Sequence, residues 1–374
     1  MRDGEGITRR SFVAGSCAAL CMAAGAAPGD SEKGAAYSVA ILGDTHYDAE
    51  PESVYHSHYD ESNKWAKVQH EEFRRNGEMW RERCPRLLNA SARVASDKPT
   101  KFVLQLGDII QGDCDDVETH KKMLDDCIRI LRAPYPGGLP FLTVIGNHDF
   151  RGKGARKAYL EFAEPFISKE LRKKVAYPVF SFRTGGDLWV FCDFEIGDLT
   201  PVSDAVDSAP DARHVFVVTH GPFTMSGCES SYRWRLGGRQ QCEPTRGRLY
   251  ETLSRRHAIV LSGHTHTTDF YRHENKFGGF TEFTANSVWK NEGLATAKPM
   301  YSLPDEYGKS SLAKLTGAKL EDFKKELAFF APSLREYFHN KAAGHCRLNV
   351  SESKVEMEFY PGDATTPARV FRMA

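Results

Sequence analysis

Five short motifs, rich in acidic residues and histidines, carry the chemistry that this sequence can support. In chain order they are Gly43-Asp44-Thr45-His46, Gly107-Asp108, Gly146-Asn147-His148-Asp149, Thr219-His220-Gly221-Pro222 and Gly263-His264-Thr265-His266. Asp, Asn and His side chains supply oxygen and nitrogen ligands for divalent metal ions, and one carboxylate is able to bridge two ions. Two ions held close together make water a nucleophile at neutral pH. The residue types therefore predict a two-metal hydrolytic site.

Each motif directly follows an apolar run that predicts a buried β-strand. The runs are Tyr37–Leu42, Phe102–Leu106, Phe141–Ile145, Val215–Val218 and Ala258–Leu261. Strand patterns alternate with helical patterns along the chain, which is typical of α/β layers rather than of a barrel. In open α/β sheets, ligands bind at the carboxyl ends of the strands. We therefore expect the five motifs to meet at one edge of the fold.

The content and order of these motifs resemble the calcineurin-like metallophosphoesterase family, over about residues 37–269 with an extension toward the carboxyl terminus. The resemblance implies an α/β fold of two packed mixed β-sheets flanked by helices, with a dinuclear metal site at the carboxyl ends of the strands. It also implies a metal-dependent phosphoester hydrolase, a phosphatase acting on a small or exported phosphate ester. Two alternatives stay open: a phosphodiesterase for cyclic-nucleotide or phospholipid-type diesters, and a non-catalytic binding protein on the same fold.

The resemblance also implies which side chains hold the metals. The two divalent ions would be Mn, Fe or Zn, and they would share a bridging hydroxide that attacks the phosphate. The implied ligands are Asp44, His46 and His266 for the first ion, Asn147, His220 and His264 for the second, and Asp108 as the bridge.

Two further residues of the third motif have catalytic roles by the same resemblance. His148 would point at the substrate and stabilise the transition state or protonate the leaving oxygen. Asp149 would orient His148 by accepting its other ring N–H, which fixes the tautomer.

The residues after Asp108 argue against two branches of the family. Gln111 stands where purple acid phosphatases have an iron-binding tyrosine, so we expect no tyrosinate ligand here. The protein serine/threonine phosphatases have an Asp-Arg-Gly sequence in this region, whereas this chain has Gln111-Gly112-Asp113. A protein-phosphatase activity is therefore disfavoured.

Two loops that leave the predicted site are candidates for substrate binding. His56 and His58 follow the first motif, and three arginines lie between residues 226 and 243. Guanidinium groups suit phosphate recognition, which makes Arg233, Arg235 and Arg239 candidate substrate ligands. The alternative for both loops is a solvated segment that packs on itself.

Cys228 and Cys242 bracket the arginine-bearing loop. A disulfide between them would close a loop of about 15 residues and stabilise the fold by roughly 3 kcal/mol in the chain-entropy model. Two thiols that are not linked are the alternative, because sequence alone does not show that the sulfurs meet.

The amino terminus has the pattern of a targeting segment. Arg9-Arg10 precede a mildly apolar Ala/Gly-rich stretch and small residues that permit cleavage, as in a twin-arginine signal peptide over residues 1–27. This pattern predicts recognition by the twin-arginine export machinery and a periplasmic or extracellular location. An uncleaved anchor, or a lipid on Cys17 or Cys21, is the alternative.

Length and composition fit a globular enzyme. The chain has 374 residues, 41% of them hydrophobic and 27% charged, with a formal net charge of +0. No nucleic-acid surface is evident from this balance, and no transmembrane span is expected in the mature chain. We expect one domain at residues 37–374. Within it, residues 47–96 form a helical elaboration near the site, residues 295–341 an excursion and a helix, and residues 344–374 terminal strands.

Overall fold

The computed structural model describes residues 35–48, 52–56, 64–228, 232–236, 241–288 and 304–374. The α-helices are α1 (Glu52–Tyr55), α2 (Lys64–Ser96), α3 (Val117–Arg132), α4 (Ala155–Leu171), α5 (Thr200–Asp207), α6 (Glu243–Arg255), α7 (Lys309–Lys314) and α8 (Gly317–Phe330). The strands are β1 (Tyr37–Leu42), β2 (Thr100–Gln105), β3 (Phe141–Thr143), β4 (Val179–Thr184), β5 (Asp187–Cys192), β6 (Val215–Thr219), β7 (Ile259–Ser262), β8 (Thr268–Asn275), β9 (Gly278–Thr284), β10 (Leu334–Asn340), β11 (Gly344–Val350), β12 (Val355–Pro361) and β13 (Arg369–Arg372).

The described strands form two mixed sheets, which confirms the predicted α/β architecture. One sheet has six strands in the order β13-β12-β11-β1-β2-β3, and the other has seven in the order β10-β8-β9-β7-β6-β5-β4. Strands β1, β2 and β3 run parallel in the first sheet. Strands β5, β6 and β7 run parallel in the second. The five motifs all follow strands of these two parallel groups.

Alternating side chains make the second sheet apolar on both faces. In β6, Phe216 and Val218 join the core between the sheets, whereas Val215 and Val217 pack against the outer helical layer. This is the two-residue period of a strand, with successive side chains on opposite faces. Between the sheets, the Trp189 ring lies 5.0 Å from that of Phe102 on β2 and 4.1 Å from that of Phe216. The sheets therefore face each other across an aromatic core.

The helix predicted within residues 295–341, which we expected near residues 321–339, is wrong in its second half. Helix α8 ends at Phe330, a short 3₁₀ turn follows at Ala331–Ser333, and residues 334–340 form the edge strand β10, paired antiparallel with β8. Pro332 lies in that turn, where a proline cannot continue α-helical hydrogen bonding. Buried Tyr337 and Phe338 gain a sheet environment that favours aromatic residues.

The predicted targeting segment, residues 1–27, lies outside the described residues. Among the helices that the structure does describe, none combines the length and the apolar character needed to cross a bilayer.

A polar connection joins the two sheets away from the motifs. The hydroxyl of Tyr37, at the start of β1, donates to Asp187 Oδ2 on β5 over 2.7 Å. Arg213 donates to both oxygens of the same carboxylate, at 2.8 and 2.7 Å. Trp189 Nε1 donates in turn to the Tyr37 hydroxyl at 3.3 Å. The buried carboxylate is thus held by groups from both sheets.

Tyr37→Phe is expected to lower the free energy of unfolding by roughly 1.5–3 kcal/mol, because a hydrogen bond to a buried charge is lost. Urea denaturation measures this change. Tyr250→Phe is the matched control, since Tyr250 packs through its ring on Phe280, and it should change stability by less than about 0.5 kcal/mol. Equal changes in the free energy of unfolding for the two substitutions would contradict a stabilising contribution from the Tyr37–Asp187 hydrogen bond.

Candidate metal centre

All seven predicted metal ligands lie in loops at the carboxyl ends of parallel strands. The loops of the first sheet supply Asp44, His46, Asp108 and Asn147, and those of the second supply His220, His264 and His266. The set therefore straddles the seam between the two sheets.

The first predicted group of ligands is compact. His266 Nε2 lies 3.0 Å from Asp44 Oδ2 and 3.0 Å from His46 Nε2. Ligand atoms of Asp44, His46 and His266 all lie within 4.8 Å of one another, a spacing suited to one metal ion. The backbone N–H of His264 donates to both oxygens of Asp44, at 3.0 and 3.1 Å, and fixes the carboxylate.

The second predicted group is arranged around Asp108. His220 Nε2 lies 3.1 Å from Asp108 Oδ2 and 3.2 Å from Asn147 Oδ1. Ligand atoms of Asp108, His220 and His264 lie within 4.8 Å of one another. Asp108 Oδ2 is also 3.6 Å from His46 Nε2 in the first group. One carboxylate oxygen thus faces both groups, and the donor set of carboxylates, imidazoles and an amide fits two divalent ions with Asp108 between them.

His148 lies close enough to this cluster to form a third group with His46 and Asp108. Its backbone N–H donates to Asp108 Oδ1 at 2.7 Å. Its ring Nδ1 is 2.9 Å from the carbonyl oxygen of Gln111, which accepts the ring N–H. The structure thus places His148 beside the predicted metal ligands His46 and Asp108.

The predicted contact between Asp149 and the His148 ring is wrong. The Asp149 carboxylate instead accepts backbone N–H groups of Ile109 at 2.9 Å, Ile110 at 3.3 Å and Gly146 at 2.8 Å. It therefore ties the loop after β3 to the loop after β2. The ring of His148 is oriented by the Gln111 carbonyl, a backbone group that side-chain chemistry does not reveal.

Burial and neighbouring charges have opposite effects on the pKa values of most groups in this cluster. Burial opposes ionisation of Asp44 and Asp108, but His220 and the neighbouring imidazoles outweigh it and hold the pKa of both carboxyls below their usual range. Burial disfavours the charged form of His220, yet the two carboxylates raise its pKa to about 9. Burial and the charge on His220 together lower the pKa of His264 to about 3. The carboxylates therefore stay ionised and require cationic partners.

Four predicted ligands have left-handed backbone conformations. The φ angles are 41° for His46, 49° for Asp108, 71° for His264 and 52° for His266. Such angles are uncommon for residues other than glycine, and they concentrate at functional sites where surrounding contacts over-determine them. Here the contacts include Thr45 N and His46 N donating to the Asp108 carbonyl, at 3.1 and 2.9 Å. The loops are thus fixed by each other.

Two buried glutamines support the ligands and were not predicted. Gln111 Oε1 lies 3.1 Å from His46 Nδ1 and accepts from Asn76 Nδ2 of α2 at 3.0 Å. Gln105 accepts from Gly107 N and Thr143 Oγ1 and donates to the Gly43 and Gly107 carbonyls. Such outer contacts orient metal ligands. Gln105 was recognisable only as a polar residue in an apolar strand.

The substrate role predicted for His56 is wrong. Its ring is buried at 1% exposure, stacks on Phe73 with centroids 4.0 Å apart, and lies 3.4 Å from Asp48 Oδ1. His56 therefore fastens residues 52–56 to α2. His58, the other histidine of this prediction, lies outside the described residues.

The substrate role predicted for Arg233 and Arg235 is also wrong. Arg235 is buried and pairs with Glu326 of α8, which pairs with Arg246 as well. Arg233 pairs with Asp322 of the same helix at 3.1 Å. Arg239 lies outside the described residues. The two described arginines anchor the loop to α8 because opposite charges on that helix face them.

An aromatic residue between these arginines faces the metal cluster instead. Trp234 is 50% exposed, and its ring centroid lies 5.5 Å from that of His264. Phe194, after β5, lies 4.9 Å from His264 and 5.4 Å from His220. Together these two rings form an aromatic wall beside the second ligand group. The sequence signal was an aromatic residue within a candidate binding loop.

The disulfide considered for Cys228 and Cys242 does not form. Cys242 Sγ donates to the Ile196 carbonyl at 3.1 Å, whereas Cys228 Sγ lies 3.5 Å from His339 Nε2. The two sulfurs thus lie in different surroundings.

Gly263→Ala is expected to weaken metal binding about 10–100-fold, the usual effect of disturbing the support of a ligand. A Cβ at residue 263 would collide with Asp44 Oδ1 and crowd the Leu106 carbonyl. Calorimetric titration with Mn²⁺ measures the affinity. The matched control is Gly247→Ala within α6, where a Cβ meets nothing within 4 Å and stability should rise by roughly 0.5–1 kcal/mol. Unchanged affinity in the Gly263 variant would contradict this view of the loop.

Comparisons with known proteins agree with this geometry. The family model described as calcineurin-like phosphoesterase matches residues 37–268. A solved structure of PhoD matches with a TM-score of 0.51 at 11% identity, covering 92% of this chain and 69% of that chain. Purple acid phosphatase PPD1 from yellow lupin (Lupinus luteus) seeds matches with a TM-score of 0.50 at 12% identity, covering 91% of this chain and 54% of the lupin protein.

The chain thus spans about half the length of the lupin protein, and at these identities the structural likenesses show the fold alone. No curated protein matches the sequence significantly. The family match covers more than half of the chain and includes all five motifs, and the family implies a dinuclear divalent metal site. The chain therefore belongs to the calcineurin-like phosphoesterase family and is a hydrolase that acts on phosphoric ester bonds.

Proposed function

We propose that this protein is a phosphatase that hydrolyses phosphate monoesters with the help of two divalent metal ions. The observation that carries the proposal is Asp108, whose Oδ2 faces His220 of one ligand group and His46 of the other, at 3.1 and 3.6 Å. Ions held on either side of this carboxylate would lower the pKa of a water molecule and offset charge on the phosphate. Mn²⁺, Fe²⁺ and Zn²⁺ all suit the donor set.

The residues around His148 support a monoester rather than a diester. Arg151 lies 3.0 Å from the His148 ring nitrogens, pairs with the Asp113 carboxylate through Nη2, and is 26% exposed, so that part of its guanidinium still borders the site. A guanidinium beside the site favours the dianionic terminal phosphate of a monoester. His148 Nε2 is the ring nitrogen that would meet the leaving oxygen, because the Nδ1–H is held by the Gln111 carbonyl. Donation of a proton to that oxygen would require the imidazolium form of the ring.

The aromatic wall of Trp234 and Phe194 suggests the kind of ester. Trp234 projects beside His264 while its neighbours Arg233 and Arg235 are held against α8. An exposed indole next to the reacting phosphate would stack on an aromatic leaving group. We therefore propose substrates with an aromatic or otherwise flat apolar group close to the phosphate.

The amino-terminal sequence bears on where in the cell the protein acts. We propose that residues 1–27 direct export by the twin-arginine route to the periplasm or beyond, supported by Arg9-Arg10 and the apolar stretch after them. Amino-terminal sequencing of the exported protein tests this, since an intact residue 1 would contradict cleavage.

Asp108→Asn is expected to abolish nearly all p-nitrophenyl phosphate hydrolysis and to reduce occupancy of both metal sites, because the bridging charge is lost.

His148→Ala should keep both metals, measured by elemental analysis, and lose ~10²–10⁴-fold in kcat. Loss of metal from the His148 variant would show that it is a ligand. Faster hydrolysis of bis-p-nitrophenyl phosphate than of the monoester by the wild-type enzyme would favour the phosphodiesterase alternative.

Trp234→Ala is expected to lower kcat/KM for phenyl phosphate about 3–10-fold, mainly through KM, since stacking contributes about 0.5–1.5 kcal/mol. Hydrolysis of glycerol 2-phosphate, which has no ring to stack, should change little. Trp234→Phe should retain most of the activity. The matched control is Phe277→Ala, which removes an exposed ring in the β8–β9 turn. A uniform loss on both substrates would argue against a stacking role.

A further inference from the structure

A cysteine, a histidine and an aspartate form a second cluster outside the predicted ligand set. Cys228 Sγ lies 3.5 Å from His339 Nε2, and His339 Nδ1 lies 2.6 Å from Asp269 Oδ1. The three residues come from the loop after β6, from β10 and from β8. His339 and Asp269 are directly opposite each other in the β10–β8 pairing. The sheet therefore fixes the histidine and the carboxylate in register.

The cluster combines a buried histidine–aspartate pair with a cysteine that is only partly buried. His339 and Asp269 are both 0% exposed. Cys228 is partly exposed, whereas the other six cysteines of the described chain are buried. Reagents in solution can thus reach this sulfur more readily than those six, and the groups that act on it are shielded from water.

The order of the three groups is that of a nucleophile, a base and an orienting carboxylate. Asp269 accepts the Nδ1–H of His339, so Nε2 is the ring nitrogen that faces sulfur. The hydroxyl of Thr267 donates to the other oxygen of Asp269 and holds it in place. Burial disfavours a charged ring, but Asp269 outweighs it and raises the pKa of His339 to about 10. An imidazolium at this position stabilises an adjacent thiolate, the reactive form of cysteine.

We propose that Cys228 is a nucleophilic thiol, activated by His339 and Asp269, and that it is a site of reversible oxidation by hydroperoxides. In the reacting form the sulfur is a thiolate beside the His339 imidazolium, and it attacks the nearer peroxide oxygen. An S–O bond forms, the O–O bond breaks, and the departing oxygen takes the proton from His339 as water or an alcohol. Cysteine is oxidised by two electrons to sulfenic acid, and the peroxide is reduced by two.

This site is separate from phosphoester chemistry. None of Cys228, His339 and Asp269 belongs to the predicted metal ligands or to the possible metal-binding groups of the described chain. The nearest hydrogen-bonded connection runs from Asp269 through the Thr267 hydroxyl to Thr265 of the fifth motif, which is not a predicted ligand. The proposal therefore stands or falls independently of the proposed substrate.

The first experiment uses the metal-loaded full chain at pH 7. Iodoacetamide labelling is followed at each cysteine by peptide-resolved mass spectrometry. Cys228 is expected to react at least about tenfold faster than the same cysteine in a synthetic peptide of residues 223–233, because the folded site supplies the activating pair. With hydrogen peroxide and dimedone, the sulfenic acid adduct should appear at Cys228 before any other described cysteine. A Cys228 that reacts no faster than the peptide overturns the proposal.

The second experiment removes the histidine beside Cys228. His339→Gln is expected to slow labelling of Cys228 at least about tenfold. The matched control, His345→Gln, replaces another buried histidine, on β11, and should leave the rate unchanged. If the His339→Gln variant unfolds, its buried cysteines will be labelled as well. The double variant Asp269→Asn with His339→Gln is then tested in its place, because it leaves no unpaired charge in the buried cluster. Unchanged Cys228 labelling in a folded variant that lacks His339 overturns the proposal.

Discussion

Two buried carboxylates at the seam between the sheets set the main constraint on this structure. Asp44 and Asp108 are 0% and 1% exposed, and an ionised carboxylate in such a place is costly unless cations or N–H donors surround it. Four of the loops that converge here bring imidazole rings next to these carboxylates, and backbone N–H groups of His148 and His264 donate to them as well. The path of the chain at the strand ends follows from this requirement.

The loops meet the requirement at a conformational cost. Four predicted ligands have left-handed φ angles, and the glycines before them leave no room for a side chain. Strain of this kind persists only where neighbouring structure holds it. Gln105, Gln111 and Asp149 do so by hydrogen bonding one segment of the site to another. The rigid strand ends and this polar layer together fix the ligand atoms before any ion arrives.

The sequence predicted what depends on local pattern and missed what depends on distant partners. Asp44, His220 and the other predicted ligands could be placed at one edge of the fold because each follows an apolar strand run, whereas their roles as ligands came from the family resemblance. The direction of Arg235 was not predictable, because Glu326 lies 91 positions further along the chain. The same holds for Asp149, whose partners are backbone groups of another loop. Strand β10 was mistaken for helix because its pairing with β8 outweighs local propensity.

Because the predicted ligands are divided between the two sheets, bound metal would also stabilise the folded state. Four predicted ligands belong to loops of one sheet and three to loops of the other, and they span more than 220 positions of the sequence. An unfolded chain cannot gather such a set, so ions bind the native state almost exclusively. By mass action, free metal at 100 times its dissociation constant adds about 2.7 kcal/mol to stability. Metal supply would thus govern how long the folded enzyme survives as well as how fast it turns over.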